Sequence, residues 1–195
     1  MVIAMKQRGG RGFSLVELMM TLAVMAVLLV VAVPSLRDAV RRHKVTAAAN
    51  ALLADLAYAR SEAILGGIVV SVCTSSRDRK KCDQTNAYEP GWLVHLGLAG
   101  TDGAIPAMRT RGLPLRFGPP RDGVAIQGLD RSLSFDAMGQ LHASVKKPPK
   151  FTVCFRSSAS GPGTSTAAVP GVEFTVNASG RVTSRGLGAG EACLS

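Results

Sequence analysis

Four kinds of side chain in this 195-residue chain could do chemistry: a carboxylate beside a long apolar run, four cysteines, three histidines and several clusters of cations. Glu17 follows Gly12-Phe13-Ser14 closely and precedes an apolar run over 18–33 broken only by Thr21. A carboxylate at the centre of a membrane helix costs about 2.5–3.5 kcal/mol on insertion scales, so one retained there marks a functional position. Its chemistry is electrostatic: in apolar surroundings an anion and a cation attract strongly, and either alone is expensive. Cys73, Cys82, Cys154 and Cys193 are an even set, which in an exported domain reads as two disulfides. Three pairings are possible; proximity in sequence favours Cys73 with Cys82 and Cys154 with Cys193, at about 2–4 kcal/mol each. The absence of any C-x-x-C pair speaks against a zinc site, and neither a metal nor a cofactor is expected. His43, His95 and His142 are scattered, with no nearby Ser/Asp or Cys arrangement for a triad. The GPGTST stretch lacks the lysine of a phosphate-binding loop, and no acidic cluster has calcium-loop spacing. Catalysis is not expected.

The cations suggest a different chemistry. Lys+Arg 23 against Asp+Glu 13 leaves +10, of which Lys6, Arg8 and Arg11 supply three. From Gly66 onward, 15 basic and 9 acidic residues leave about +6. The cations cluster at 77–81, at Lys146-Lys147-Pro148-Pro149-Lys150, and at Arg181 with Arg185. Such groups neutralise phosphates and release counterions, giving salt-sensitive, sequence-independent affinity. With one Trp and two Tyr, rows of stacking rings for single strands are not available.

The elements that must position these residues begin with a membrane-length helix. Residues 13–33 span about 31 Å at 1.5 Å per residue, close to a hydrocarbon core of about 30 Å. That core is too long for a secretory signal, and Pro34-Ser35-Leu36-Arg37-Asp38 offers no cleavage site after it. A plain anchor explains the length but not Glu17. The basic leader places the N-terminus in the cytoplasm and the bulk of the chain outside it. Pro34 should kink the helix or mark a joint. Beyond it the pattern is amphipathic, with Leu52, Leu56, Ala59 and Ala63 on one stripe, and Arg41, Lys44, Asp55, Arg60 and Glu62 mostly off it. Small residues over 46–51 permit close packing, and Gly66-Gly67 is a helix stop. The remainder reads as β: strands over 68–73, 92–96, 151–155 and 172–176, a hairpin about Asp136-Ala137-Met138-Gly139, and a turn at Asn177-Ala178-Ser179-Gly180 leading into 181–183. The Gly-, Pro- and Ser-rich stretch 157–170 reads as a mobile loop. The expected class is α+β, one long helix packed on an antiparallel sheet.

Leader, Gly12-Phe13 junction, Glu17 and apolar run together resemble the type IV prepilin signature. The resemblance implies a peptidase that cuts after Gly12 and N-methylates Phe13. It also implies that Glu17 pairs with the new terminal amine, on its own or a neighbouring subunit, and sets register during assembly. An α-amino group has an ordinary pKa of about 7.7–8.0, and the methylated amine remains a cation at neutral pH. The block AANALLADLAYARSEAI over 48–64, the strand ending in Cys73, the Trp92 strand and the Ser179-Gly180-Arg181-Val182 hairpin resemble the GspH/FimT family of minor pilins and pseudopilins. That implies a type IV pilin-like α+β fold: leader 1–12, membrane and filament-core helix 13–35, amphipathic helix 36–66, and a β-rich head 67–195. The implied partners are other pilins or pseudopilins, the prepilin peptidase, the inner membrane and DNA. The implied location is the bacterial inner membrane with a periplasmic head, then a pilus or pseudopilus tip. The first expectation is a FimT/FimU-like minor pilin that assembles or primes the pilus; the alternatives are a DNA-binding subunit for transformation and a type II secretion pseudopilin. Transformation-linked members carry a Gly-Arg-x-Arg motif that contacts DNA. This chain has Gly180-Arg181-Val182-Thr183 and lacks the second arginine, but alternation keeps Arg181 and Arg185 on one face. The candidate DNA contacts are therefore Arg181, Arg185, Lys146, Lys147 and Lys150.

Overall fold

The computed structural model describes residues 13–98, 104, 113–142, 148–158 and 161–193, with Val31 as backbone alone. Gly12, Lys146 and Lys147 lie outside the described residues. The chain divides into two units, Met1–Asp38 and Ala39–Ser195. One helix, α1 (Leu15–Gly66), has residues in both.

In the first unit, Ser14 starts the helix. Its Oγ accepts from the Glu17 backbone N–H at 3.4 Å, and its carbonyl accepts from Leu18 N–H at 3.1 Å. This is the serine half of the Ser-x-x-Glu capping arrangement, and it puts Glu17 in the first turn, where the helix dipole favours a carboxylate. Described side chains over 13–30 are all exposed, and apart from Ser14, Glu17 and Thr21 they are all apolar. The segment is long and apolar enough to cross a membrane. Pro34 sits inside α1 and does not end it.

In the second unit, α1 buries Val45, Ala48, Ala49, Leu52, Leu56, Ala59 and Ala63, a stripe at spacings of one, three and four. The alanines of that stripe serve as core. The helix ends on Gly67 at φ +61°, a left-handed turn that costs glycine nothing, and Ile68 N–H returns to the Ala63 carbonyl at 3.3 Å.

Eight strands follow: β1 (Val70–Thr74), β2 (Trp92–Leu96), β3 (Arg116–Gly118), β4 (Val124–Gly128), β5 (Ser132–Phe135), β6 (Lys150–Phe155), β7 (Val172–Val176) and β8 (Val182–Gly186). They form two antiparallel four-stranded sheets, ordered β3-β2-β1-β5 and β4-β6-β7-β8, where one sheet was expected. β1 and β2 are buried along their whole length, the polar Ser71, Thr74 and His95 included. β8 is an edge strand, exposed beyond Val182 and polar, as exposed edges must be. The core between helix and sheets includes Trp92, Tyr88, Phe135, Phe151, Phe174, Leu52 and Leu56. Each such side chain contributes about 1.5–3 kcal/mol of burial.

Two expectations need correction. The hairpin expected about Asp136-Ala137-Met138-Gly139 has β5 as its first arm, but its second arm reduces, as far as it is described, to a single bridge from Leu141 to Phe135. The described part of the stretch read as mobile is pinned: Thr164 bridges both Phe155 and Ala192, Ser165 Oγ donates to the Leu187 carbonyl at 3.2 Å, and Val169 is buried. Its anchors come from elsewhere in the chain, so no local periodicity announces them.

Candidate functional site

The residues singled out by type fall into three separate places. At the start of α1, Phe13 is 82% exposed and Glu17 is exposed one helical turn later. With every described side chain around them also exposed, this apolar surface calls for lipid or other helices as its solvent. A carboxylate placed there is expensive until it meets a cation.

The cysteines are joined Cys73 to Cys82 and Cys154 to Cys193, with Cα separations of 5.6 and 6.5 Å. The first closes the loop between β1 and β2; the second fastens the C-terminal segment to β6. His95 on β2 is fully buried with its Nε2 3.4 Å from Cys82 Sγ and Nδ1 3.2 Å from its neighbour's carbonyl, Leu96 O. Among the described residues, Cys73, Cys82 and His95 are the one grouping of three with metal-ligand atoms, and both sulfurs are spent in the disulfide. Burial pushes the His95 pKa below its ordinary value, so the ring is held neutral. The unfolded chain then binds a proton that the folded head refuses. Stability is full above the ordinary histidine value of about 6.5 and falls as pH drops below it, towards the lowered folded pKa. Thermal melts between pH 7.5 and 5 should show this decline, and His95→Gln should flatten it even if its melting temperature is lower throughout. An unchanged slope would assign the decline to another group.

The third place is the outer face of the second sheet. In the β7–β8 register Arg185 lies opposite Glu173. Its Nε donates to Glu173 Oε1 at 2.9 Å, and a second guanidinium nitrogen meets Glu191 at 3.0 Å. Lys150 Nζ also points to Glu173 Oε1, at 3.7 Å. The fold thus brings together two of the five cations read as DNA contacts, but around two carboxylates that offset their charge. Glu191 additionally accepts from Gly188 N–H, which with Arg185 holds its pKa below the usual carboxylate value. Arg181 is exposed at the adjoining turn.

That turn has a twin. Asp136–Gln140 and Asn177–Arg181 close alike: the first residue's N–H meets the fifth residue's carbonyl at 2.9 and 3.0 Å, and its side-chain oxygen accepts from the fifth residue's N–H at 2.9 Å in both. Gly139 and Gly180 occupy matching positions at φ +72° and +75°. One side chain of α1 serves both turns: Arg60 Nε donates to the Gly139 carbonyl at 2.9 Å and its terminal nitrogen to the Ser179 carbonyl at 3.0 Å. Gly180 of the Gly-Arg pair is therefore a structural requirement of the turn.

Sequence reasoning missed Asp55, placed on the outward face. It is 4% exposed, accepts from Trp92 Nε1 at 2.7 Å and pairs with Arg116 Nε at 2.9 Å. Arg116 also lies over the Tyr58 ring, 5.2 Å from its centroid. A carboxylate amid alanines and leucines at helical spacing was the available signal.

Residues 48–180 match the family model described as type II transport protein GspH, and residues 7–33 match the prokaryotic N-terminal methylation motif. No curated protein matches the chain by sequence. Among solved structures, the type IV minor pilin FimU of Pseudomonas aeruginosa PAO1 is similar at 22% identity and a TM-score of 0.52, over 74% of this chain and 90% of that one. The minor pseudopilin EpsH from the type 2 secretion system of Vibrio cholerae aligns at 11% identity and a TM-score of 0.44, over 73% of this chain and 97% of that one. The fold is that of type IV pilins: a long N-terminal helix followed by antiparallel sheets.

Proposed function

The chain belongs to the GspH family and carries the N-terminal methylation motif, and from that footing we propose that it is a minor type IV pilin acting in pilus assembly or priming. The observation that carries this reading is the start of α1: a fully exposed apolar segment of membrane length with Glu17 in its first turn. In this reading the prepilin peptidase cuts after Gly12, and Phe13 becomes the methylated terminus. The helix waits in the inner membrane and then moves into the apolar core of a filament beside other pilins. Both places accept the exposed apolar surface, but only a filament supplies a neighbouring terminal amine for Glu17 to pair with. The head lies in the periplasm and later at the tip. Two disulfides support that side, since thiols stay reduced in the cytoplasm. Basic residues alone do not orient the helix: Lys6, Arg8 and Arg11 before it face Arg37, Arg41, Arg42 and Lys44 after it.

Glu17→Val tests the reading. The variant should insert into membranes and be cut normally, yet its share in sheared filaments should fall about tenfold or more, a barrier of about 1.4 kcal/mol or higher. Equal amounts of variant and native chain in sheared filaments would refute the role. Mass spectrometry of the mature terminus checks cleavage and methylation separately. A deletion strain scored for twitching, secretion and transformation distinguishes the pilus from a type II secretion pseudopilus and from DNA uptake.

A further inference from the structure

We propose that the disulfide-closed loop between β1 and β2 is a binding site for the phosphodiester backbone of DNA. The loop places Arg77, Arg79, Lys80 and Lys81 within five residues, all exposed. Among the described residues none of these four forms an ion pair, in contrast to Arg185 and Lys150 on the opposite sheet. The intervening Asp78 turns inward on the loop, accepting from Ser76 Oγ and from Lys80 N–H at 3.2 Å. Backbone contacts close the loop as well. Besides the Cys73–Cys82 bridge, Ser76 N–H meets the Lys81 carbonyl at 3.0 Å, and Lys81 N–H meets Ser76 Oγ at 3.2 Å.

Arg79 adopts φ +58°, a conformation that is strained for a residue with a β-carbon and persists where its surroundings impose it. Its guanidinium lies 4.3 Å from the centroid of Phe117 on β3. Stacking occupies one face of the guanidinium and leaves its in-plane N–H donors for a planar or tetrahedral anion. A cleft of about 400 Å³ opens beside it, lined by Ser75, Arg77, Arg79 and Thr85, with Asp83 as its one carboxylate. A loop whose backbone is already closed and whose Arg79 is already stacked loses less freedom on binding than an open basic segment would. Nucleic acid fits better than a lipid surface: residues 74–81 contain no apolar side chain to enter a bilayer, and interfacial segments combine cations with such anchors.

This site is independent of the assembly reading, since a chain excluded from filaments could still bind DNA and a filament subunit could fail to. Full-length protein in a non-ionic detergent is titrated into a fluorescein-labelled 20-base-pair duplex of arbitrary sequence, with anisotropy read from 25 to 200 mM NaCl. The triple variant Arg77→Gln, Lys80→Gln, Lys81→Gln keeps Arg79 on Phe117 and changes exposed positions alone. It should bind about tenfold or more weakly at 50 mM salt, and its log–log salt slope should be shallower by about 3. The basic leader is common to both proteins and cancels. Arg181→Gln should change affinity less than twofold. The proposal is overturned if the native chain does not bind the duplex, if the triple variant binds as the native chain does, or if vesicles with 30% phosphatidylglycerol are bound and the duplex is not. Loss on Arg181→Gln with retention in the triple variant moves the site to the terminal turn and overturns it equally.

Discussion

Asp55→Ala is expected to lower the stability of the head by about 3 kcal/mol, the larger part from stranding the Trp92 N–H. Trp92 is fully buried, and the Asp55 carboxylate 2.7 Å away is the acceptor for its ring nitrogen. A buried donor left without a partner costs about 1–3 kcal/mol, and a bond to a charged group contributes about 1.5–3. The Arg116 pair adds less. Arg116's side chain is 51% exposed, so water screens the contact and rehydrates the guanidinium when the carboxylate is gone. For the same reason the cost stays below that of breaking a fully buried pair, where a charge would remain stranded. Trp92 is the one tryptophan in the chain, so its fluorescence during urea unfolding of the detergent-solubilised protein reports the head alone. Asp55→Asn keeps an acceptor for the indole and should lose about half as much. A loss below 1 kcal/mol for alanine would mean that water or another carbonyl replaces the carboxylate, and that the helix is held on the first sheet by apolar contact only.

Gly180→Ala should be comparably damaging, at about 3 kcal/mol, from a single added methyl group. A β-carbon built at Gly180 falls inside the Gly139 carbonyl, which is backbone and cannot swing aside. The position also has φ +75°, where a side chain is strained on its own account. Overpacking costs about 1–3 kcal/mol and the left-handed conformation about 1–2 more. The displaced carbonyl would also lose the Arg60 donor. Arg181→Ala, one residue on, removes an exposed side chain and should shift stability by less than about 0.5 kcal/mol. The contrast is the check: equal losses in chemical denaturation would place the Arg181 side chain in the framework of the turn. The Gly-Arg pair thus combines a residue required by the fold with one whose side chain is exposed.

Sequence reached furthest where local physics decides structure. The Gly66-Gly67 stop, the twin turn sequences and strands such as 92–96 follow from backbone preferences and β-branched runs that act over a few residues. Strand β3 escaped because three residues with one buried have no periodicity to show. Strand β4 ends in Gly128, packed close to the Tyr88 and Phe151 rings, and it is a strand because β6 pairs with it. The same limit applies to the charges. Arg181 and Arg185 look alike in a one-dimensional count, yet Glu173 and Glu191, 12 and 6 residues from Arg185, fold onto that arginine and offset it. Asp55 read as solvated because its partners are 37 and 61 residues further along. The N-terminal segment, which matches the methylation motif over 7–33, was the most legible part, since a membrane-length helix and one carboxylate beside it need no tertiary context.

The Arg60 brace has a consequence for timing. Its acceptors lie 79 and 119 residues later in the chain, and the last disulfide awaits Cys193. A chain synthesised from its N-terminal end presents α1 first and the residues that cover it last. The stripe from Val45 to Ala63 therefore stands uncovered through most of synthesis, and the head can close only when nearly the whole polypeptide is available. Chains truncated upstream of the second turn would keep the apolar helix and never complete a head, which separates the capacity to form the helix from the capacity to close what covers it.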